Sequence, residues 1–204
     1  VEYDENITED EDSRWPANRA PYTHQLEAWK ILGRETPQST VVTAGTGSGK
    51  SECFMVPMLN DMARQVDEHD KMLVGVQAIM LYPLNALINS QRDRLIGWTR
   101  GFMGKVRFAL YNGETPSNPV AQRTEAQASW HGAPKPEEVR DRKSIRNSPP
   151  PILVTNATML EYMLVRPDDR PIIQQSQGAL RWIILDEAHT LVGSAAAETS
   201  LLLR

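Results

Sequence analysis

Ala44-Gly45-Thr46-Gly47-Ser48-Gly49-Lys50-Ser51 is the most informative segment of this chain for its fold. It follows a β-branched run at residues 39–43 and leads into a helix-like run from 52 to 64. Three glycines let the backbone curl without Cβ clashes, so successive N–H groups and the positive end of the following helix converge on one anion. This order predicts a strand, a phosphate-binding loop and a helix.

Two side chains at the end of the stretch carry chemistry of their own. Lys50 supplies a mobile ammonium for the outer phosphates of a nucleotide, and the Ser51 hydroxyl can ligate a magnesium ion. The first position is Ala44, where the strict pattern G-x-x-x-x-G-K-[ST] has glycine. The alternative interpretation is an ordinary glycine turn. The strand before the loop and the helix after it argue against that alternative.

The composition is typical of a globular protein. The chain has 204 residues, of which 40% are apolar and 24% charged, so it fits one domain with a substantial core. No apolar run approaches the roughly 20 residues of a membrane helix, and the N-terminus is acidic, unlike a signal peptide. We therefore expect a cytoplasmic protein with no membrane partner. The single cysteine, Cys53, is expected to be a small core residue.

The net charge of −4 hides an asymmetry along the chain. Residues 1–12 hold seven acidic side chains and no basic one. Residues 1–14 are therefore predicted to be a flexible acidic tail ahead of one domain at residues 15–204. The rest of the chain is slightly basic, which is compatible with nucleic acid but does not argue for it.

Apolar runs and turn residues predict an α/β fold with a parallel sheet. The predicted strands are 39–43, part of 72–82, 106–111, 151–155 and 182–185, and the predicted helices are 26–32, 52–64, 84–98, 157–165 and 194–203. Strands that alternate with helices form a parallel sheet covered by helices on both faces. Met55, Met58 and Met62 are expected to pack in the core, and Pro57 is expected to kink its helix.

Residues 117–150 interrupt this alternation. They are polar and rich in proline, with a charged segment at 137–146 and three prolines at 149–151. We interpret them as a surface excursion that contains one helical piece. Residues 166–170 are predicted to form a charged turn.

A second group of functional residues, Asp186-Glu187-Ala188-His189, follows the last predicted strand. Ligands of parallel sheets bind at the carboxyl ends of the strands, and the glycine loop and this group both fall there. Asp186 can hold magnesium through water, and Glu187 can orient and deprotonate an attacking water. With Lys50 and Ser51 they make a minimal set for phosphoryl transfer.

With these motifs the chain resembles the first RecA-like lobe of a superfamily 2 helicase of the DEAD/DEAH-box type, over nearly its whole length beyond the acidic tail. Residues 44–51 match motif I in the form this superfamily prefers, which accounts for Ala44, and residues 186–189 match motif II. The resemblance implies ATP and Mg²⁺ as cofactors. Gln25, in Tyr22-Thr23-His24-Gln25, sits where the adenine-reading glutamine of the family belongs. The resemblance also implies that His189 links the nucleotide site to the nucleic-acid track and the neighbouring lobe.

Three further segments resemble the family motifs that contact the phosphates of one nucleic-acid strand. Their candidate residues are Pro83, Leu84, Asn85 and Gln91, then Gly113 and Thr115, then Thr155 and Asn156. In the family these contacts use backbone amides, hydroxyls and helix N-termini, and they are independent of base sequence. Arg92 and Arg94 are expected to lie on a solvated helix face.

The sequences of these segments are more similar to those of bacterial DNA helicases of the DISARM-defence and related repair type than to those of RNA-dedicated DEAD-box proteins. The resemblance implies an ATP-dependent helicase with single-stranded DNA, rather than RNA, as its partner. It also implies a longer parent protein with a second RecA-like lobe, and protein partners in a larger complex. One alternative is a nucleotide-gated interaction module that does not translocate. Another is a small P-loop kinase or other NTPase, which is disfavoured by the 135-residue separation of Ser51 from Asp186 and by the motif-like segments between them.

Overall fold

A computed structural model describes residues 20–34, 36–45, 47–118 and 135–204. The predicted acidic tail, Thr46 and residues 119–134 of the predicted excursion lie outside this part of the chain. The chain divides into two compact units, Val1–Lys71 and Met72–Arg204. No described helix is both long enough and apolar enough to cross a membrane.

The described part of the first unit contains two helices, α1 at Thr23–Leu32 and α2 at Lys50–His69. Helix α2 begins directly after Gly49 and runs further than predicted, with Pro57 inside it. Cys53 and the methionines at 55, 58 and 62 are buried, which confirms the predicted core face of this helix.

The predicted strand at residues 39–43 is wrong for this structure. These residues have no regular secondary structure, and the Val41 side chain is 89% exposed. Its β-branched residues favour extended backbone, but a strand is stabilised by its cross-strand pairs and the burial of one face. Neither is present for residues 39–43 in the described structure.

The second unit is built on a four-stranded parallel sheet. Its strands are β1 at Ala78–Leu81, β2 at Phe108–Leu110, β3 at Ile152–Thr155 and β4 at Trp182–Leu185. The order across the sheet is β2-β3-β1-β4, and Leu81 lies opposite both Thr155 and Leu185. The carboxyl ends of the strands therefore meet at one edge.

Among the described residues, five helices accompany this sheet: α3 at Asn85–Thr99, α4 at Arg142–Asn147, α5 at Ala157–Val165, α6 at Arg170–Gln175 and α7 at Gly193–Leu202. The sheet and these helices agree with the predicted α/β class. The three strands β1, β2 and β3 are buried along their whole length, as parallel strands require. Strand β4 forms one edge, and Ile183 and Leu185 are partly exposed there.

Two parts of the second unit differ from the sequence predictions. The predicted charged turn at 166–170 is a short 3-10 turn at Pro167–Asp169 that continues into helix α6. The described end of the predicted surface excursion is packed against the protein, because Val139 and Ile145 belong to the core. Its described part contains helix α4, in agreement with the prediction that the excursion includes a helical piece.

Candidate functional site

The glycine loop of the first unit has the backbone shape that an anion cradle needs. Gly47 and Gly49 both have φ near +73°, a left-handed conformation that a side chain disfavours. Gly49 is the residue before the first turn of α2, and no side chain caps the helix there. The N–H groups and the positive dipole end of α2 are therefore left to a ligand.

Lys50 lies back over this loop. Its Nζ donates to the carbonyl oxygens of Ala44 at 3.0 Å and Gly45 at 2.9 Å. The Ser48 hydroxyl also donates to the Gly45 carbonyl, at 2.6 Å. A phosphate oxygen is a stronger acceptor for an ammonium than a neutral carbonyl, so a phosphate can replace these bonds.

Helix α1 holds the loop through two side chains. Gln25 is fully buried; its Nε2 donates to the Gly49 carbonyl at 2.9 Å, and its Oε1 accepts from the Tyr22 N–H at 2.9 Å. His24 Nε2 lies 3.0 Å from the Ser48 carbonyl oxygen. In this structure both ends of the Gln25 amide bind the protein backbone, and its adenine-reading role stays a prediction.

Sequence reasoning did not single out Tyr22 and His24 as functional residues. Their rings stack with centroids 5.6 Å apart and planes 9° apart, and Tyr22 is 47% exposed. The only sequence signal for them was that they precede Gln25. They form an aromatic pair beside the glycine loop.

The residues of this loop fit a magnesium-bound triphosphate. The uncapped start of α2 and the Lys50 ammonium suit the phosphates, and Ser51, which is partly buried, lies in the first turn of α2. Within the described ranges, no three His, Cys, Asp or Glu side chains cluster so that they could hold a metal by themselves. Magnesium would therefore need phosphate oxygens and water among its ligands.

In the second unit, Asp186 and Glu187 follow β4 in a tight turn. The Asp186 N–H donates to the Leu81 carbonyl of β1 at 3.1 Å, and Asp186 Oδ1 accepts from the Glu187 N–H at 2.9 Å. Glu187 has φ +51°, a left-handed conformation that is uncommon for a residue with a side chain. Such backbone strain is found preferentially at functional sites.

His189 lies beside Glu187. Its Nδ1 is 3.3 Å from Glu187 Oε2, and the two side chains are 76% and 42% exposed. The Thr190 hydroxyl donates to the Glu187 carbonyl at 2.8 Å and closes the turn. The structure thus brings together Asp186, Glu187 and His189, while Lys50 and Ser51 belong to the other unit.

Tyr82 is a neighbour of this turn that the sequence analysis missed. It follows β1, and its side chain is buried. Burial raises the pKa of the Tyr82 phenol, and the negative charge of Asp186 raises it further. The phenol is therefore a neutral group next to the Asp186 carboxylate across the physiological range.

Two of the predicted nucleic-acid residues are in direct contact. Asn156 Nδ2 donates to Asn85 Oδ1 at 2.8 Å, and Asn156 Oδ1 caps α5 by accepting from the Met159 N–H at 2.7 Å. Helices α3 and α5 therefore begin side by side at the carboxyl edge of the sheet. Leu84, just before α3, is 62% exposed.

The other predicted nucleic-acid residues differ in their access to solvent. Thr155 is buried and donates to the Tyr111 carbonyl at 2.6 Å, and Thr115 is buried and donates to the Leu110 carbonyl at 2.8 Å. These two hydroxyls serve the fold in this structure. Gly113 is exposed, and Pro83 and Gln91 are partly buried.

Arg92 is not on a solvated helix face. Its side chain is only 13% exposed, and its Nε and Nη2 each lie 2.7 Å from an oxygen of the buried Glu138 carboxylate. This hydrogen bonding raises the pKa of the Arg92 guanidinium. The pair ties α3 to the segment that precedes α4, so Arg92 has a structural role.

Comparisons with known proteins place this geometry in context. A family model described as DEAD/DEAH box helicase matches residues 22–203. The chain is similar to the Druantia protein DruE of Escherichia coli (strain UMEA 4076-1), with 29% identity over 90% of this chain and 15% of that protein. It is also similar to the uncharacterized ATP-dependent helicase YprA of Bacillus subtilis (strain 168), with 24% identity over 90% of this chain and 20% of YprA.

A solved structure shares the fold. The crystal structure of the DUF1998 helicase MrfA bound to DNA and AMPPNP superimposes with a TM-score of 0.59 at 20% identity. The match covers 89% of this chain and 21% of the MrfA chain. The chain thus spans between 15% and 21% of the length of these three proteins.

Proposed function

The chain belongs to the DEAD/DEAH box helicase family, and from that membership we propose that it is the ATP-binding lobe of a nucleic-acid-dependent ATPase that translocates on DNA. The observation that carries this proposal is the glycine loop, where Lys50 lies over an uncapped helix start. The relative YprA, which is named as an ATP-dependent helicase, supports it.

The nucleotide roles are proposed residue by residue. Residues 44–51 bind the phosphates, with Lys50 on the outer ones, and Gln25 faces the adenine. Ser51 is a direct magnesium ligand, and Asp186 is a ligand through water. ATP would supply the phosphoanhydride bond that is broken. Mg²⁺ would neutralise the charge that develops on the transferred phosphoryl group.

The second unit is proposed to prepare the attacking water. Glu187 orients this water and accepts its proton, because its carboxylate is partly exposed and held in a strained turn. His189, which lies against Glu187, is proposed to couple this turn to the nucleic-acid track and a second lobe.

The nucleic-acid track is proposed to run along the carboxyl edge of the sheet. Asn85 and Asn156 lie at the starts of α3 and α5, and helix starts attract phosphates. Gly113 is an exposed position of the loop after β2. Single-stranded DNA is favoured over RNA by the sequence resemblance to DNA helicases, and the DNA-bound MrfA structure supports the same choice.

The proposal is tested by ATP hydrolysis in the full-length parent protein, with and without single-stranded DNA or RNA. We expect stimulation by DNA, loss of turnover in Glu187→Gln with ATP still bound, and normal stimulation in Glu161→Gln, which changes an exposed glutamate of α5. Stimulation by RNA alone would overturn the choice of DNA. Bound ATP with no stimulation by either polymer would favour a nucleotide-gated module that does not translocate.

A further inference from the structure

The loop at residues 112–116 follows β2 and holds Gly113, which the proposed function assigns to the nucleic-acid track. Part of its shape comes from its own hydrogen bonds. Asn112 Oδ1 accepts from the Glu114 N–H at 3.0 Å, and Thr115 Oγ1 accepts from the Asn112 N–H at 2.8 Å.

Arg142, the first residue of α4, spans the loop with its guanidinium group. Its Nη2 donates to the Asn112 carbonyl at 2.8 Å and its Nε to the Thr115 carbonyl at 2.9 Å. The backbone N–H of Arg142 donates to the Pro116 carbonyl, also at 2.8 Å. A planar guanidinium with donors in fixed directions can hold two carbonyls at once, which an ammonium cannot do in the same geometry.

The ring of Tyr111 fixes the guanidinium from a second side. The Arg142 Cζ lies 5.1 Å from the centroid of this ring, within the range of a cation–π interaction. The Tyr111 hydroxyl donates to Asp169 at 2.6 Å, and Arg146 Nε donates to the same oxygen at 2.8 Å. Tyr111 and Asp169 are fully buried, so the ring beneath Arg142 has little freedom to move.

The start of α4 is fixed by a helix cap and by core packing. Asp141 is buried and caps the helix by accepting from the Ser144 N–H at 2.8 Å, and Ile145 is part of the core. Arg142 is thus presented to the loop by a rigid element. This element belongs to residues 135–147, which we call the return segment.

These contacts decide which atoms of the loop a phosphate would meet. A carbonyl oxygen repels a phosphate, and two carbonyl oxygens of the loop are occupied by Arg142. Gly113, between them, remains exposed. We propose that Arg142 is a positioning residue that shapes the loop at 112–116 for a phosphate of the bound DNA strand. Through Arg142 the return segment contributes to DNA binding.

The proposal rests on the proposed function, and it is tested on the full-length parent protein with labelled oligo(dT). We expect Arg142→Gln to weaken binding on the order of tenfold, the size of one lost hydrogen-bonded contact. Lys143→Gln removes the same charge from the neighbouring, exposed residue and should bind as the wild type does. Arg142→Lys keeps the charge but cannot span both carbonyls, so it should lose most of the same affinity.

Two further readouts separate this role from its alternatives. In Arg142→Gln, loss of a direct phosphate contact would reduce the magnitude of the slope of log affinity against log salt by about one, whereas loss of a positioning residue would leave that slope close to the wild-type value. The affinity for ATP monitors the integrity of the fold and should not fall with strand affinity.

The outcomes that would overturn the proposal are distinct. Full affinity in Arg142→Lys would mean that only charge matters, and an equal loss in Lys143→Gln would mean that the segment acts through general attraction. Unfolding of both Arg142 variants would show a purely structural role. A wild-type protein that binds neither oligo(dT) nor oligo(U) would overturn the proposed function itself.

Discussion

Gly49 is the residue at which the glycine loop, α1 and α2 meet. Its φ of +73° is left-handed, and a Cβ built there would collide with Nε2 of Gln25. The Gln25 amide occupies this space because it donates to the Gly49 carbonyl. Glycine is therefore required here by backbone conformation and by the close approach of a buried side chain.

We predict that Gly49→Ala weakens ATP binding and lowers stability. The left-handed backbone costs about 1–2 kcal/mol with a Cβ, and displacing the Gln25 amide adds to this cost. Titration with ATP and thermal unfolding measure the two effects. Gly101→Ala is the matched control, because its Cβ would meet nothing within 4 Å and its φ is not left-handed. Equal thermal unfolding midpoints and equal ATP affinities for the two variants would contradict the prediction.

Local sequence pattern predicted some residues of the candidate site and not others. The glycine loop was predicted from the spacing of its glycines ahead of a helix, and Asp186-Glu187 from its place directly after β4. The environments of Gln25 and Tyr82 are set by groups far along the chain, Gly49 and Asp186 respectively. No local pattern reports such distant partners.

At the scale of elements, α3 is tied to the return segment by one ion pair. Glu138 is 3% exposed and accepts two hydrogen bonds from Arg92; Arg140 Nε lies 3.5 Å from the same carboxylate. A carboxylate buried in this way costs desolvation energy, which its partners offset. Removing the carboxylate leaves two largely buried guanidinium groups without their shared anion.

We expect Glu138→Gln to reduce the free energy of unfolding by about 3 kcal/mol, the lower end for breaking a buried pair. Asp168→Asn is the control, because Asp168 also lies next to an arginine, Arg146, but is 77% exposed. An exposed pair of that kind contributes less than about 1 kcal/mol. Urea unfolding measures the free energy of unfolding of both variants. Equal losses of this free energy would show that burial of the Arg92–Glu138 pair adds nothing to stability.

The elements that the sequence predicted well are those with continuous apolar runs. Strands β3 and β4 and helix α5 lie within one residue of their predicted bounds. Val139 and Ile145 are isolated among charged residues, so no periodicity indicated that the return segment enters the core. Residues 39–43 had strand propensity, but a propensity becomes a strand only where a partner strand and a buried face exist.

At the scale of the whole molecule, the order of the motifs was enough to predict the family. The glycine loop precedes Asp186-Glu187, and three loop segments at strand ends lie between them along the chain. In the second unit, the register of the sheet brings the ends of β1, β3 and β4 level, so residues far apart in sequence lie along one edge. Parallel sheets place ligand contacts at this edge, which is why motif order carries functional information.

We predict that these 204 residues alone bind ATP but hydrolyse it far more slowly than the parent protein. An arginine supplied by a partner lobe accelerates related phosphoryl transfers by about 10³–10⁵-fold, and the proposed second lobe would supply one here. Turnover and ATP affinity are measured for the chain and the parent side by side. Lys50→Ala should abolish ATP binding in both, whereas Lys30→Ala, which removes an exposed lysine of α1, should leave it unchanged. If the chain alone matched the turnover of the parent, its own residues would suffice for hydrolysis and the two-lobe proposal would be wrong.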